Sequence, residues 1–310
     1  MTDGVAFCSS GWCSIKTRST SHVAHFVTRY HPFASRATLA TPVRMLASAL
    51  DEFQVHSGLD RLSGDFLGYE VVFSPTGCPR EVPDRFVPDQ FRDWGVRVYG
   101  FEVLTSTKVE ETDGSVALYM KRVRALPAVG CEADAVSTES VLYHLKAKDD
   151  LLVRPDLGAF ACPPLFGITH PTEQKRVILM TQAQGDLQIV VEQLDAPFSD
   201  GEVLPACGSG PIASFAEKPT VSPDDLLGQW SFRSIPLDPA AEQEYGTHTR
   251  EASDFDRHCL LPLGLSVLHT SNSVELGWLL NESSRVVLVA NKDRKYGASV
   301  RIETRQVPPS

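Results

Sequence analysis

Short apolar runs interrupted by turn residues recur along this chain, and one arrangement of them occurs twice. Arg176-Val-Ile-Leu-Met180 passes through a Gln-Ala-Gln-Gly turn into Leu187-Gln-Ile-Val-Val-Glu192, and Arg285-Val-Val-Leu-Val289 passes through Asp293 and Gly297 into Ala298-Ser-Val-Arg-Ile-Glu303. Each copy is an Arg, an apolar strand, a Gly-containing turn and a second strand ending in Glu. Upstream of each stands a Gly-x-aromatic opening, Gly64-Asp-Phe66 and Gly228-Gln-Trp230. A repeated unit of this kind predicts a small antiparallel barrel whose first and last strands pair to remove exposed edges. The expectation is a mainly β chain of two such barrels in tandem, with few short helices.

Further strand signals fill the first unit. Gly68-Tyr-Glu-Val-Val-Phe73, Val96 to Leu104, Ser115 to Arg124 and Ser140 to Leu145 are β-branched and aromatic runs, and Asp113-Gly114 is a hairpin signal between two of them. Pro79 to Pro88 is too rich in proline for either regular element. Helix is expected only around Pro88 to Trp94 and over Pro42 to His56, where Met45, Leu46, Ala49, Leu50 and Phe53 recur at helical spacing. The predicted organisation is a leader over 1–50, a first barrel over 51–195, a linker over 196–223 that is aperiodic and rich in Pro, Gly and Ser, and a second barrel over 224–306.

Charge sharpens this division. The chain of 310 residues carries a net charge of −10, yet residues 1–50 hold five Lys or Arg against Asp3 alone, leaving −14 on the remainder. So acidic a body has no bulk attraction for nucleic acid or anionic lipid. The Ser-, Ala- and Arg-rich leader has the profile of an organellar transit peptide, with a plastid as the favoured compartment and a mitochondrion, or the cytosol if the segment is an ordinary tail, as alternatives. No apolar run reaches the roughly 18 residues of a transmembrane helix. Cys8 and Cys13 lie in the leader, and the scattered Cys78, Cys131, Cys162, Cys207 and Cys259 read as thiols rather than a disulfide framework. No nucleophile elbow, phosphate loop or His-Glu-x-x-His motif is present, and the pairs His22/His25 and His258/Cys259 are too isolated to specify a metal site.

Leu226-Leu-Gly-Gln-Trp230, Cys259-Leu-Leu-Pro-Leu-Gly264, Val274-Glu-Leu-Gly-Trp-Leu279, Arg285-Val-Val-Leu-Val289 and Val300-Arg-Ile-Glu303 follow one another in an order with a precedent. They resemble the second half of a double-lipocalin-like (calycin) family of unknown function from cyanobacteria and plastids. Gly64-Asp-Phe66, Arg176-Val-Ile-Leu179 and Ile189-Val-Val-Glu192 resemble its first half, so the similarity spans about residues 60 to 305. The resemblance implies two tandem antiparallel lipocalin-like barrels. That family is similar in turn to phycobiliprotein lyases of the CpcS/CpeS type, which hold a linear tetrapyrrole while a client cysteine adds to it. Arg285, Gly297 and Glu303-Thr-Arg305 match the lyase-type ending. Duplication and the Pro79 to Pro88 insertion depart from single-barrel lyases, and whether any reaction is catalysed stays open.

In lipocalin-like barrels an aromatic of the first strand packs beneath an Arg from a late strand. The corresponding pairs are Phe66 with Arg176, and Trp230 with Arg285 or Arg301. Glu192 and Glu303 fall out of phase with Leu187/Ile189/Val191 and Ala298/Val300/Ile302, which predicts surface positions. For a ligand, Arg122 and Arg124 share one strand face and suit the propionates of a bilin or other tetrapyrrole, while Trp94, Tyr99, Tyr143 and His144 suit its π-surface. Glu275 with Trp278 is the analogous pair in the second barrel. A competing reading puts the two arginines outside and Tyr143 in the core. The functional expectation is a plastid ligand-binding protein, a tetrapyrrole chaperone or lyase-like attachment factor with a photosynthetic client and no required cofactor. The alternatives are a carrier of lipid or carotenoid, and a scaffold for photosynthetic complex assembly.

Overall fold

The computed structural model describes residues 61–112, 115–125, 138–146, 151–194, 215–291 and 297–306. The leader, the helix expected over Pro42 to His56, Asp113-Gly114, Cys131, Cys207 and most of the expected linker lie outside these residues. The described residues are mainly β and build two antiparallel sheets. The first contains β1 (Gly64–Phe73), β2 (Gly100–Thr112), β3 (Ser115–Ala125), β4 (Thr138–Lys146), β5 (Leu152–Arg154), β6 (Ala159–Cys162), β7 (Leu165–Thr169), β8 (Lys175–Thr181) and β9 (Leu187–Leu194), in the order β4-β3-β2-β1-β9-β8-β7-β6-β5. The second contains β10 (Gly228–Pro236), β11 (Glu244–Arg250), β12 (His258–Leu260), β13 (Leu265–His269), β14 (Ser273–Asn281), β15 (Ser284–Asn291) and β16 (Ala298–Arg305), in the order β11-β10-β16-β15-β14-β13-β12. A short helix, α1 (Asp89–Asp93), follows the proline-rich stretch.

The two repeated strand pairs are the hairpins β8–β9 and β15–β16, and the registers set Arg176 opposite Glu192 and Arg285 opposite Glu303. First and last strands pair in each sheet, β1 with β9 and β10 with β16. The edges are therefore strands from the middle of each unit: β4 and β5 in one sheet, β11 and β12 in the other.

Period-2 alternation gives every strand two faces, and each sheet turns one face toward the other sheet. Val177, Leu179, Ile189 and Val191 of the first sheet join Val274, Leu276, Val286, Leu288 and Val300 of the second in one buried cluster. Each such aliphatic side chain contributes about 1.5–3 kcal/mol when withdrawn from water. The chain between the sheets adds to this layer, since Phe215 is buried and its ring lies 5.8 Å from that of Phe73.

Both sheets also curl, so that their remaining faces are enclosed. In the first, Val141, Tyr143 and Leu145 of edge strand β4 share a cluster with Phe160 and Cys162 of β6, near the opposite end of the sheet. In the second, Arg250 of β11 lies 3.4 Å from Glu275 of β14, four strands away. A flat sheet would separate them by about 19 Å. This curl makes the architecture barrel-like, and it buries positions that alternation alone assigns to the surface.

Several strands escape the sequence reading, three of them for a plain physical reason. Ala159–Cys162 and Leu165–Thr169 are buried at every position and show no alternation, and Glu244–Arg250 is a polar edge strand. The run from Val96 becomes strand only at Gly100, because the Val98 carbonyl accepts from Val82 N–H of the proline-rich stretch at 2.7 Å.

Glu102 of β2 sits opposite Tyr69, and burial pushes its carboxyl up to about 7. A raised carboxylate value means that the folded state binds the proton more tightly than the unfolded chain does. Stability therefore falls as pH rises from the ordinary carboxylate range through about 7 and stays lower above it. Glu102→Gln is expected to raise the urea midpoint at about pH 8 and to leave it unchanged near pH 4; an equal effect at both values would show that burial does not perturb this carboxyl.

Candidate functional site

The enclosed face of each sheet is organised around an ion pair between the Arg and the Glu of the repeated hairpin. In the first sheet Arg176 and Glu192 are both buried and their side chains meet at 2.5 Å. Arg176 also donates to Thr107 Oγ1 at 2.7 Å and to the Leu62 carbonyl at 3.2 Å, and its guanidinium lies 3.4 Å from the Phe66 ring centroid. Burial lowers the Arg176 pKa, with Glu192 opposing that shift. Beside this group, Arg122 and Arg124 converge on Glu70 at 3.4 and 2.7 Å. Arg122 lies 5.6 Å from the Tyr143 ring, and Arg124 the same distance from Phe101. Burial raises the Tyr143 hydroxyl.

The second sheet repeats the theme with more charges. Arg285 reaches Glu303 at 3.4 Å and Glu275 at 3.6 Å, and donates to Ser266 Oγ at 2.8 Å. Arg250 bridges the same two carboxylates at 3.0 and 3.4 Å, and Arg301 approaches Glu303 at 3.6 Å. Burial alone would raise the Glu275 carboxyl, but His258, Arg285 and Arg250 outweigh it and hold the group at about 2. His248 Nε2 accepts from Arg250 Nε at 3.0 Å, which makes this ring neutral, and burial lowers its pKa. Gly277 makes the room: a Cβ there would stand 2.0 Å from Arg285 Nη2.

Three guanidiniums, Arg250, Arg285 and Arg301, thus face two carboxylates, Glu275 and Glu303. Arg285 Nε and Arg301 Nε are buried without a hydrogen-bond acceptor among the described residues. The side chains of Arg301 and His248 keep 26% and 25% of their exposure, which leaves this end of the network open to solvent. Phe232 lies beside both, 5.0 Å from the Arg301 guanidinium and 5.5 Å from the His248 ring. The arrangement is a partly open cationic patch with an aromatic wall.

The candidate residues are distributed differently from the expectation. Trp94 is 64% exposed at the C-terminal end of α1, and Tyr99 packs at the edge of the layer between the sheets. Tyr143 is buried while its neighbour His144 is exposed and stacks on Tyr119, because adjacent residues of a strand point to opposite faces. Arg122 and Arg124 do share the enclosed face, where Glu70 already occupies both. Glu275 joins the ionic network but Trp278 joins the core between the sheets, separated by the same alternation. Trp230 is fully buried and donates to the Leu226 carbonyl at 3.1 Å; the cation over its ring is Arg305, at 4.8 Å, rather than Arg285 or Arg301. Arg305 is its direct neighbour across β10–β16, whereas Arg301 is drawn over Phe232 and Arg285 turns to Glu303.

Glu192 and Glu303, expected at the surface, are completely buried. Both are indeed out of phase with the apolar positions, but the curl encloses that second face as well. A readable signal existed: in an antiparallel hairpin the first residue of one strand faces the last of the next, so a repeated Arg at one end and Glu at the other predicts a cross-strand pair. Glu70, Arg250, His248 and His258 carried no such signal.

A cleft of about 170 Å³ opens between the sheets. Val177, Val191, Leu263, Leu265, Trp278 and Leu280 line it on the apolar side, and His170, Glu173 and Lys175 line it with polar groups. Leu263 takes a positive φ of 60°, a costly conformation for a branched side chain, in the turn between β12 and β13. His170 Nδ1 accepts from the backbone N–H groups of Thr172 and Glu173, and the ring meets Trp278 edge-on at 5.2 Å.

No family model and no curated protein matches this chain. Among solved structures it is similar to a protein of unknown function of the DUF3598 family from the cyanobacterium Nostoc punctiforme. The TM-score is 0.43 at 16% identity, and the match covers 80% of this chain and 98% of that one. Among the described residues no helix is long and apolar enough to cross a membrane.

Removing one member of a buried pair strands the other charge, which costs about 3–5 kcal/mol, whereas replacing both by apolar groups is often nearly neutral. Arg176→Met is accordingly expected to lower unfolding stability by about 3–5 kcal/mol, and adding Glu192→Leu should recover most of that loss. Equal losses in the single and double variants would remove the pair from its central place. Gly277→Ala forces a methyl into the Arg285 guanidinium and should cost about 1–3 kcal/mol by denaturant titration; an unchanged midpoint would mean that the guanidinium has room to move aside.

Proposed function

We propose that the two sheets are tandem lipocalin-like units and that the protein is a ligand-binding protein for a flat, anionic organic molecule. The site is the open cationic patch of the second sheet, and an open-chain tetrapyrrole is the ligand class that suits it best. The observation that carries this reading is the imbalance of three guanidiniums over two carboxylates, with buried donors of Arg285 and Arg301 left without acceptors. Propionate groups would take up those donors as charge-assisted hydrogen bonds, and the Phe232, His248 and Arg301 wall offers a stacking surface. The first sheet is a weaker choice because Glu70 already neutralises Arg122 and Arg124. Attachment of the pigment to a client thiol would need only positioning and exclusion of water from this chain. The Arg-rich, acid-poor composition of residues 1–50 favours a plastid as the compartment.

A second reading rests on the cleft between the sheets. At about 170 Å³ it is too small for a tetrapyrrole, but its apolar side, with His170, Glu173 and Lys175 opposite, suits a single ring or short chain, which would make the protein a carrier of small, largely apolar molecules.

Titration of the purified protein with biliverdin, followed by visible absorbance, tests the first reading. A shifted and intensified band is expected, and Arg301→Met should weaken binding about tenfold or more without moving the unfolding midpoint. Absence of any band shift in the parent protein rejects the tetrapyrrole. Uptake of an apolar probe with quenching of tryptophan fluorescence, in the parent but not in a Leu263→Trp variant that fills the cleft, would favour the carrier.

A further inference from the structure

The turn that leaves β1 is pressed against the second sheet. It is a tight loop: Ser74 N–H donates to the Cys78 carbonyl at 2.8 Å, Gly77 N–H to the Ser74 carbonyl at 2.9 Å, and Cys78 N–H to Ser74 Oγ at 3.1 Å. Gly77 holds a φ of +83°, and a Cβ there would stand 2.8 Å from the Leu260 carbonyl oxygen and 3.6 Å from Cys259 Sγ. Cys259 Sγ is also 3.7 Å from the Ser74 carbonyl oxygen. The buried thiol of β12 is therefore touched by the same turn whose next residue, Cys78, is exposed. Thr76 Oγ1 donates to Cys78 Sγ at 3.8 Å.

We propose that Cys78 and Cys259 are a reversible dithiol pair, which closes under oxidising conditions to a disulfide that staples the first sheet to the second. The chemistry needs a small disulfide as oxidant, such as glutathione disulfide. The exposed Cys78 thiolate attacks one sulfur of the oxidant, releasing one thiolate and leaving a mixed disulfide on Cys78. Cys259 gives up its proton and attacks the Cys78 sulfur, releasing the second thiolate and forming the Cys78–Cys259 bond. Two protein thiols are oxidised by two electrons, and one glutathione disulfide is reduced to two glutathiones. The second step is the slow one. Burial pushes the Cys259 thiol up to about 12, with Cys78 adding to the shift, so only a small fraction is thiolate near neutrality. Closure of the mixed disulfide should accelerate about tenfold for each unit by which pH rises toward that value.

The full chain is incubated with glutathione disulfide, digested without reduction and analysed by mass spectrometry. A peptide pair joined through Cys78 and Cys259 is expected, together with a loss of about 2 Da from the intact chain. Reduction by dithiothreitol should reverse both, and the oxidised chain should unfold at a higher urea concentration than the reduced one. Cys259→Ala should stop at the glutathione adduct of Cys78, and Cys78→Ser should give neither adduct nor bridge at these positions. Three results overturn the proposal: a stable adduct on Cys78 in the parent with no bridged peptide, a bridge to Cys162 or another cysteine instead, or no reaction of Cys78 at all.

Discussion

The cross-strand pairing of Arg176 with Glu192, and of Arg285 with Glu303, is the constraint on which both sheets depend. Full charges in a low-dielectric interior are tolerated only when geometry and additional hydrogen bonds offset their desolvation. Each sheet meets that demand by curling. Arg176 needs Thr107 from three strands away, and Arg285 needs Glu275, Ser266 and the space left by Gly277. Aromatic rings at the opening of β1 and β10 complete the enclosure from below, Phe66 under Arg176 and Trp230 under Arg305. The Gly-x-aromatic opening and the Arg-led hairpin are thus two halves of one packing arrangement, which accounts for their recurring together.

Much of the frame is legible in the sequence because it is written in alternation. The hairpins β8–β9 and β15–β16 are visible as Arg-led apolar runs, and the sharing of one face by Arg122 and Arg124 follows from their spacing. What escapes is information that alternation does not hold. Ala159–Cys162 is buried on both faces and therefore has no period. The burial of Glu192 and Glu303 depends on curvature, a property of the whole sheet. Neighbouring positions such as Tyr143 and His144, or Glu275 and Trp278, look like one site in a linear reading and are parted by the pleat. The partners of the second network, Arg250, His248 and His258, come from strands whose sequence is polar and unremarkable in pattern, and only the closed geometry brings them together.

The two networks are not equivalent, although the hairpins that anchor them are. In the first sheet the charges are enclosed by Val141, Tyr143 and Leu145 on one side and Phe160 on the other, and Glu70 pairs with two guanidiniums at once. In the second, His248 and Arg301 stand at the margin of the network and keep about a quarter of their side-chain exposure. The first network is interior structure, while the second holds cations at a solvent-accessible margin. That asymmetry is what makes the second sheet the better candidate for recognition.

The apolar layer between the sheets has a further implication for how such a chain changes over time. Val177, Leu179, Ile189 and Val191 have their counterparts in Val286, Leu288, Val300 and Ile302, so each sheet serves as the lid of the other. Neither half can drift in the volume or polarity of that face without an answering change across the layer. Genetic separation of the halves would expose a broad oily surface on both. The two sheets are in this way indivisible as a packing unit, although their strand patterns repeat.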